Sequence, residues 1–100
     1  MDIQAILEGC QGFQWDKGNS LKNWLKHGVA QREAEEVLFN EPLLLFEDEK
    51  HSDNEDRVLA FGHTNAGRCL VVAFTVRQKL IRVISARNMN NKERGVCGKT

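Results

Sequence analysis

Apolar positions recur along this chain with two periods, one helical and one alternating, and the change between them divides the sequence. "GFQWD" sets Phe13 and Trp15 between polar neighbours and predicts a short first strand. Over residues 17–27 the spacing becomes helical: Leu21, Trp24, Leu25 and His27 fall on one side, Asp16 or Asn19 suits the start, and Gly28 suits the stop. "AQREAEEVLFN", Ala30 to Asn40, repeats that period through Ala34, Val37, Leu38 and Phe39, so a second helix packs on the same core until Pro42 ends it. From there the period is two. "LLLFED" reads as a strand, "EKHSDNED" as a polar loop, and "RVLAFGH" as a strand closing at the turn "TNAG". "RCLVVAFTVR" and "KLIRVISAR" are the strongest strands, separated by little more than Gln78, which predicts a tight hairpin. The expected fold is α+β: an antiparallel meander with two N-terminal helices packed on one face and the other face partly open to solvent.

The final strand does not obey its own alternation. Strict period two puts Leu80, Arg82, Ile84 and Ala86 on one face and Ile81, Val83, Ser85 and Arg87 on the other, so each face mixes apolar residues with an arginine. A mid-strand arginine requires a carboxylate partner or an open polar face. Arg57 opens an earlier strand and Arg77 ends the one before, so several arginines can gather on one surface.

A chain of 100 residues forms one domain, and 41% hydrophobic with 28% charged residues fits a folded protein rather than a disordered one. The longest apolar runs are too short to cross a bilayer, and no leader pattern opens the sequence, so a cytoplasmic location is expected. Cys10, Cys69 and Cys97, an odd number at wide spacing, are expected to be free thiols. The formal net charge of zero conceals an asymmetry: residues 1–56 hold 13 acidic against 5 basic residues, and residues 57–100 hold Glu93 alone against 9 basic ones. That pattern implies either a basic surface for a polyanion or two halves that neutralise each other across the fold.

Several chemistries are absent. Neither the three histidines nor the three cysteines fall at metal-ligand spacing, "TNAGR" makes no phosphate loop, and Cys69 sits inside an apolar strand as an inert thiol. No metal or cofactor is expected.

From Phe13 to about Glu93 the chain resembles the BrnT family of bacterial toxins, small proteins with a fold similar to the RelE ribonuclease toxins. The residues that carry the resemblance are "FQWD", "N.LKHGV" from Asn23 to Val29, "EAEEV" at residues 33–37, the spaced Pro42, His51, Ser52 and Arg57, and "GR.LVVAFTVR" with "IRVISAR". The resemblance implies the toxin of a type II toxin–antitoxin pair, a metal-independent ribonuclease that blocks translation. It also implies a BrnA-like ribbon-helix-helix antitoxin as partner. RNA cleavage by its own 2′-hydroxyl needs a base, an acid and cations for the phosphate. His27, in "KHGV", is the first acid–base candidate, and His51, in the polar loop frame, the second. Arg57, Arg77, Arg82 and Arg87 are candidates for phosphate and transition-state charge, and Lys26, His51, Arg68 and Lys79 for RNA binding. Many relatives place a tyrosine beyond the last strand; this chain has none, so a tyrosine mechanism is excluded. A catalytically inert RNA-binding or antitoxin-binding module on the same fold is the alternative.

Overall fold

The computed structural model describes residues 3–48, 56–95 and 97. Its elements are α1 (Ile3–Glu8), β1 (Gly12–Phe13), α2 (Lys17–His27), α3 (Gln31–Phe39), β2 (Leu44–Glu47), β3 (Val58–His63), β4 (Cys69–Arg77), β5 (Leu80–Asn88) and a 3-10 turn at Glu93–Gly95. The strands form one five-stranded sheet in the order β1-β5-β4-β3-β2. From β2 to β5 the pairing is antiparallel, the expected meander, but β1 joins the far edge parallel to β5 through Gly12–Leu80 and Phe13–Ile81. The sheet is therefore mixed. A strand of two residues carries no pattern that could have announced its partner. α1 was not expected either, because six residues are too few to display a helical period. No helix among the described residues is long and apolar enough to cross a membrane.

α2 packs on β5, and α3 on β3 and β4. The core beneath them joins Val29, Ala34, Val37 and Leu38 to Val58 and Ala60 of β3, Leu70, Val72 and Phe74 of β4, and Ile81, Val83 and Ala86 of β5. α3 meets the core as its period predicts, except that Phe39 is exposed and touches Phe13 edge-on at 6.0 Å between ring centres. α2 does not. Trp24 is 57% and Leu25 73% exposed, whereas Asn23 is 2% exposed; the side chain of Leu21 lies outside the described residues. The apolar stripe of α2 misled because the helix docks through a polar residue: Asn23 Oδ1 accepts the backbone N–H of Ala86 at 3.0 Å. β1 pairs with β5 only at its start, so a buried donor further along that edge takes a side chain as its acceptor.

The turns behave as expected. Gly28 takes φ +64°, its N–H bonding the carbonyl of Trp24, which is the left-handed C-terminal stop a glycine permits. Gln78 and Lys79, at φ 52° and 63°, make a two-residue hairpin between β4 and β5.

Candidate functional site

The disposition of the arginines is set by a register shift. β4 and β5 pair Ala73 with Ser85 and then Phe74 with Val83, which leaves Ile84 as an extra residue. On either side of this bulge Ile81, Val83 and Ala86 all face the core, so Arg82, Ser85 and Arg87 all face the other way. Strict alternation would place Arg82 and Arg87 on opposite faces. One additional residue resets the alternation and brings them together.

The paired registers lay out this outer face in rows. One row runs Leu44, Phe61, Val71, Arg87, and the next Phe46, Leu59, Ala73, Ser85. Thr75 and Arg82 follow as a cross-strand pair. Arg57 joins their level because it precedes Val58, the partner of Phe74, and its carbonyl accepts the N–H of Asp48 at 2.8 Å. Arg77 and Leu80 close the sheet beside Lys79 in the hairpin turn. Arg57, Arg77 and Arg82 thus share one end of the face, with Lys79 in the turn beyond it. Buried among them, Thr75 Oγ1 has no hydrogen-bond partner among the described residues, a defect that costs about 1–3 kcal/mol. Such defects collect where a protein is shaped for more than stability.

Arg82 Nη1 lies 3.0 Å from Asp16 Oδ2, both partly exposed, just ahead of α2. Arg87 is held more tightly. Its guanidinium donates through Nη1 and Nη2 to the two Glu93 oxygens at 2.7 and 2.9 Å, the planar two-pronged match of arginine to carboxylate. That hydrogen bond, opposed by burial and helped by the N–H of Asn90 and by the arginine's charge, lowers the Glu93 carboxyl from 4.5 to about 2. Past Glu93 the tail reaches β4, where Cys97 forms a disulfide with Cys69 at a Cα separation of 6.0 Å. The expectation of three free thiols is thereby corrected: Cys10 alone is free. Spacing along the chain could not reveal it, since the tail folds back over 28 residues to meet its partner.

The remaining candidates lie elsewhere. Arg68 is built into the architecture: it donates to both carboxylate oxygens of Glu33 at 3.1 and 3.0 Å, to the carbonyls of Gly28 and His27 at 2.9 and 3.2 Å, and to Asn88 Oδ1 at 2.8 Å. These bonds tie the α2–α3 corner to the end of β5. Burial alone would raise the Glu33 carboxyl, but the N–H of Ala30 and Arg68 together bring it below its usual value. His27 and the exposed Lys26 sit at that corner, in the helical layer, and are not brought to the Arg57–Arg82 end. His51 lies outside the described residues. Among those described, no three His, Cys, Asp or Glu side chains converge to hold a metal ion.

Two sets of residues beside the arginines are not legible in the sequence. Asp16 and Glu93 are the carboxylates facing the strand arginines, visible only once the chain has folded. Phe46 and Phe61 stand edge-to-face at 5.4 Å between ring centres on the outer face. Their alternation with Leu45 and Ala60 was the available signal.

The chain matches, over residues 15–93, the family described as "Ribonuclease toxin, BrnT, of type II toxin-antitoxin system". Among solved structures it is similar to the Brucella abortus ribonuclease toxin, BrnT, whose crystal structure was determined at 1.1 Å. The two are 23% identical with a TM-score of 0.61, and the likeness covers 81% of this chain and 99% of that one. At that identity the likeness establishes a shared fold. The comparison with curated proteins gives no match.

Proposed function

The chain belongs to the BrnT family of ribonuclease toxins of type II toxin–antitoxin systems, and from that premise we propose that it cleaves RNA on the outer face of its sheet, at the end holding Arg57, Arg77 and Arg82, with Lys79 in the turn beyond it. The observation that carries this reading is the hairpin register, Arg77 opposite Leu80 and Thr75 opposite Arg82, which sets Arg82 on the face shared by Arg57 and Arg77. In the reaction the RNA's 2′-oxygen attacks the adjacent phosphorus and the bond to the 5′-oxygen breaks, leaving a 2′,3′-cyclic phosphate and a free 5′-hydroxyl. A base takes the 2′ proton and an acid supplies one to the leaving oxygen. Arg82 and Arg57 donate to the phosphate oxygens as their charge grows, and no metal is required. Lys79 and Arg77 hold neighbouring phosphates.

His27 and His51 are the two candidate proton carriers. Growth arrest through blocked translation, a cytoplasmic location, a ribbon-helix-helix antitoxin similar to BrnA, and kinship of the fold with the RelE toxins belong to the same proposal.

Single-turnover cleavage of labelled RNA, with and without chelator, tests it. Arg82→Ala is expected to lower the rate by roughly ten- to a thousandfold with little change in melting temperature, because its partly exposed ion pair contributes little stability. Loss of cleavage in a folded His27→Ala or His51→Ala protein identifies the proton carrier, and chelator is expected to change nothing. A folded Arg82→Ala protein that cleaves at the full rate would remove this face from the chemistry. Wild-type protein that binds RNA without cleaving it would favour the inert module.

A further inference from the structure

The outer face carries more than cations. Phe46 is 50% and Leu44 41% exposed on β2, an outer strand of the sheet. Phe46 lies opposite Leu59, and the diagonal neighbours of that pair on β3 are Phe61 on one side and Arg57 on the other. Diagonal neighbours on a sheet are on the order of 7 Å apart, so a half-exposed aromatic ring, packed edge-to-face with Phe61, stands one step from the phosphate-binding end. A half-exposed phenylalanine on an outer strand serves the core poorly, since the inward-facing Leu45 already fills that role.

We infer that the ring of Phe46, braced edge-on by Phe61, forms a stacking platform for the bases of single-stranded RNA whose phosphates lie along Arg57 and Arg82. The inference rests on the ribonuclease reading of this face and adds to it the form of RNA that fits. A duplex hides the faces of its bases, whereas an unpaired strand offers them. Stacking on aromatic rings tolerates any base, so the platform selects single strands over duplexes with little choice of sequence. The adjoining arginines and Lys79 suit the polyanionic backbone of such a ligand.

The test uses whole protein and two uncleavable single-stranded probes, a 2′-O-methyl RNA dodecamer and the same backbone without bases. Wild-type protein is expected to bind the complete strand about five- to a hundredfold more tightly than the abasic one. Phe46→Leu, which keeps an apolar side chain but removes the ring, is expected to erase most of that difference while leaving abasic affinity and melting temperature unchanged; Phe46→Trp is expected to restore it. Arg82→Ala is expected to weaken both probes alike. Equal affinity of wild type for the two probes, or no effect of Phe46→Leu on the complete strand, would overturn the platform and leave the ribonuclease reading standing. If Phe46→Leu abolishes binding of the purified antitoxin without altering RNA affinity, the patch is a protein-docking surface and the inference fails. Wild type that binds neither probe defeats the placement of RNA on this face, and the platform with it.

Discussion

Arg87 shows how one residue can satisfy a sequence expectation and change its meaning. It does reach the outer face, yet its guanidinium is held by both oxygens of Glu93, so its first role is to fasten the returning tail to β5. The Glu93 carboxyl ionises near 2 in the folded protein against 4.5 ordinarily. A carboxyl whose folded value lies below its unfolded one stabilises the fold fully above the unfolded value, and the contribution disappears as pH falls through the folded value. The pair is therefore expected to contribute about 1–2 kcal/mol at neutral pH, discounted for the arginine's partial exposure, and to lose that contribution between about pH 4.5 and 2. Urea unfolding of wild type and Glu93→Gln across that range should give a stability difference that is constant above pH 5 and vanishes near pH 2. A difference that persisted at pH 2 would assign the stabilisation to something other than this ion pair.

Among the elements, β5 organises the site, and its bulge depends on the helix beside it. Just past the extra residue Ile84, the buried N–H of Ala86 finds its acceptor in Asn23 of α2. Asn23→Ala leaves that N–H without a partner and is expected to cost about 1–3 kcal/mol, lowering the melting temperature by several degrees. Asn23→Asp retains the acceptor but buries a carboxylate, and is expected to cost at least as much at neutral pH. A melting temperature unchanged in Asn23→Ala would show that the bulge is held by the strands alone. The residues that carry the family resemblance are largely of this architectural kind. Trp15 Nε1 donates to Glu35 at 2.7 Å, Glu33 holds Arg68, and Glu36 accepts the N–H of Asn65 at 3.1 Å, so each glutamate of "EAEEV" fastens α3 to another part of the chain.

Over the whole molecule, the two oppositely charged halves are partly joined and partly apart. Arg68–Glu33 and Arg82–Asp16 join the basic half to the acidic one, while the hairpin end of the outer face gathers three arginines, with Lys79 in the turn beyond it. If Arg57, Arg77, Lys79 and Arg82 all meet phosphates, log affinity for a single strand should fall with log salt at a slope of about −3, and Arg82→Ala should reduce that slope by about 0.7. Fluorescence anisotropy between 50 and 200 mM salt measures it, and an unchanged slope in Arg82→Ala would mean that this arginine touches no phosphate. The sequence by itself determined the meander, α2 and α3, the Gly28 stop, the tight β4–β5 hairpin and the family, because each is written in local period, in a residue's backbone freedom, or in the order of motifs. Only the tertiary structure decided that β1 lies parallel to β5, that Asn23 rather than Trp24 faces inward, that Cys69 meets Cys97, and that Arg82 and Arg87 share a face. Each of these depends on a partner distant in the chain or on one unpaired residue in a ladder. Period two carries no record of a bulge: a single extra residue reverses every side chain beyond it, and only the packing of Ile81, Val83 and Ala86 against the helices fixes where that reversal falls.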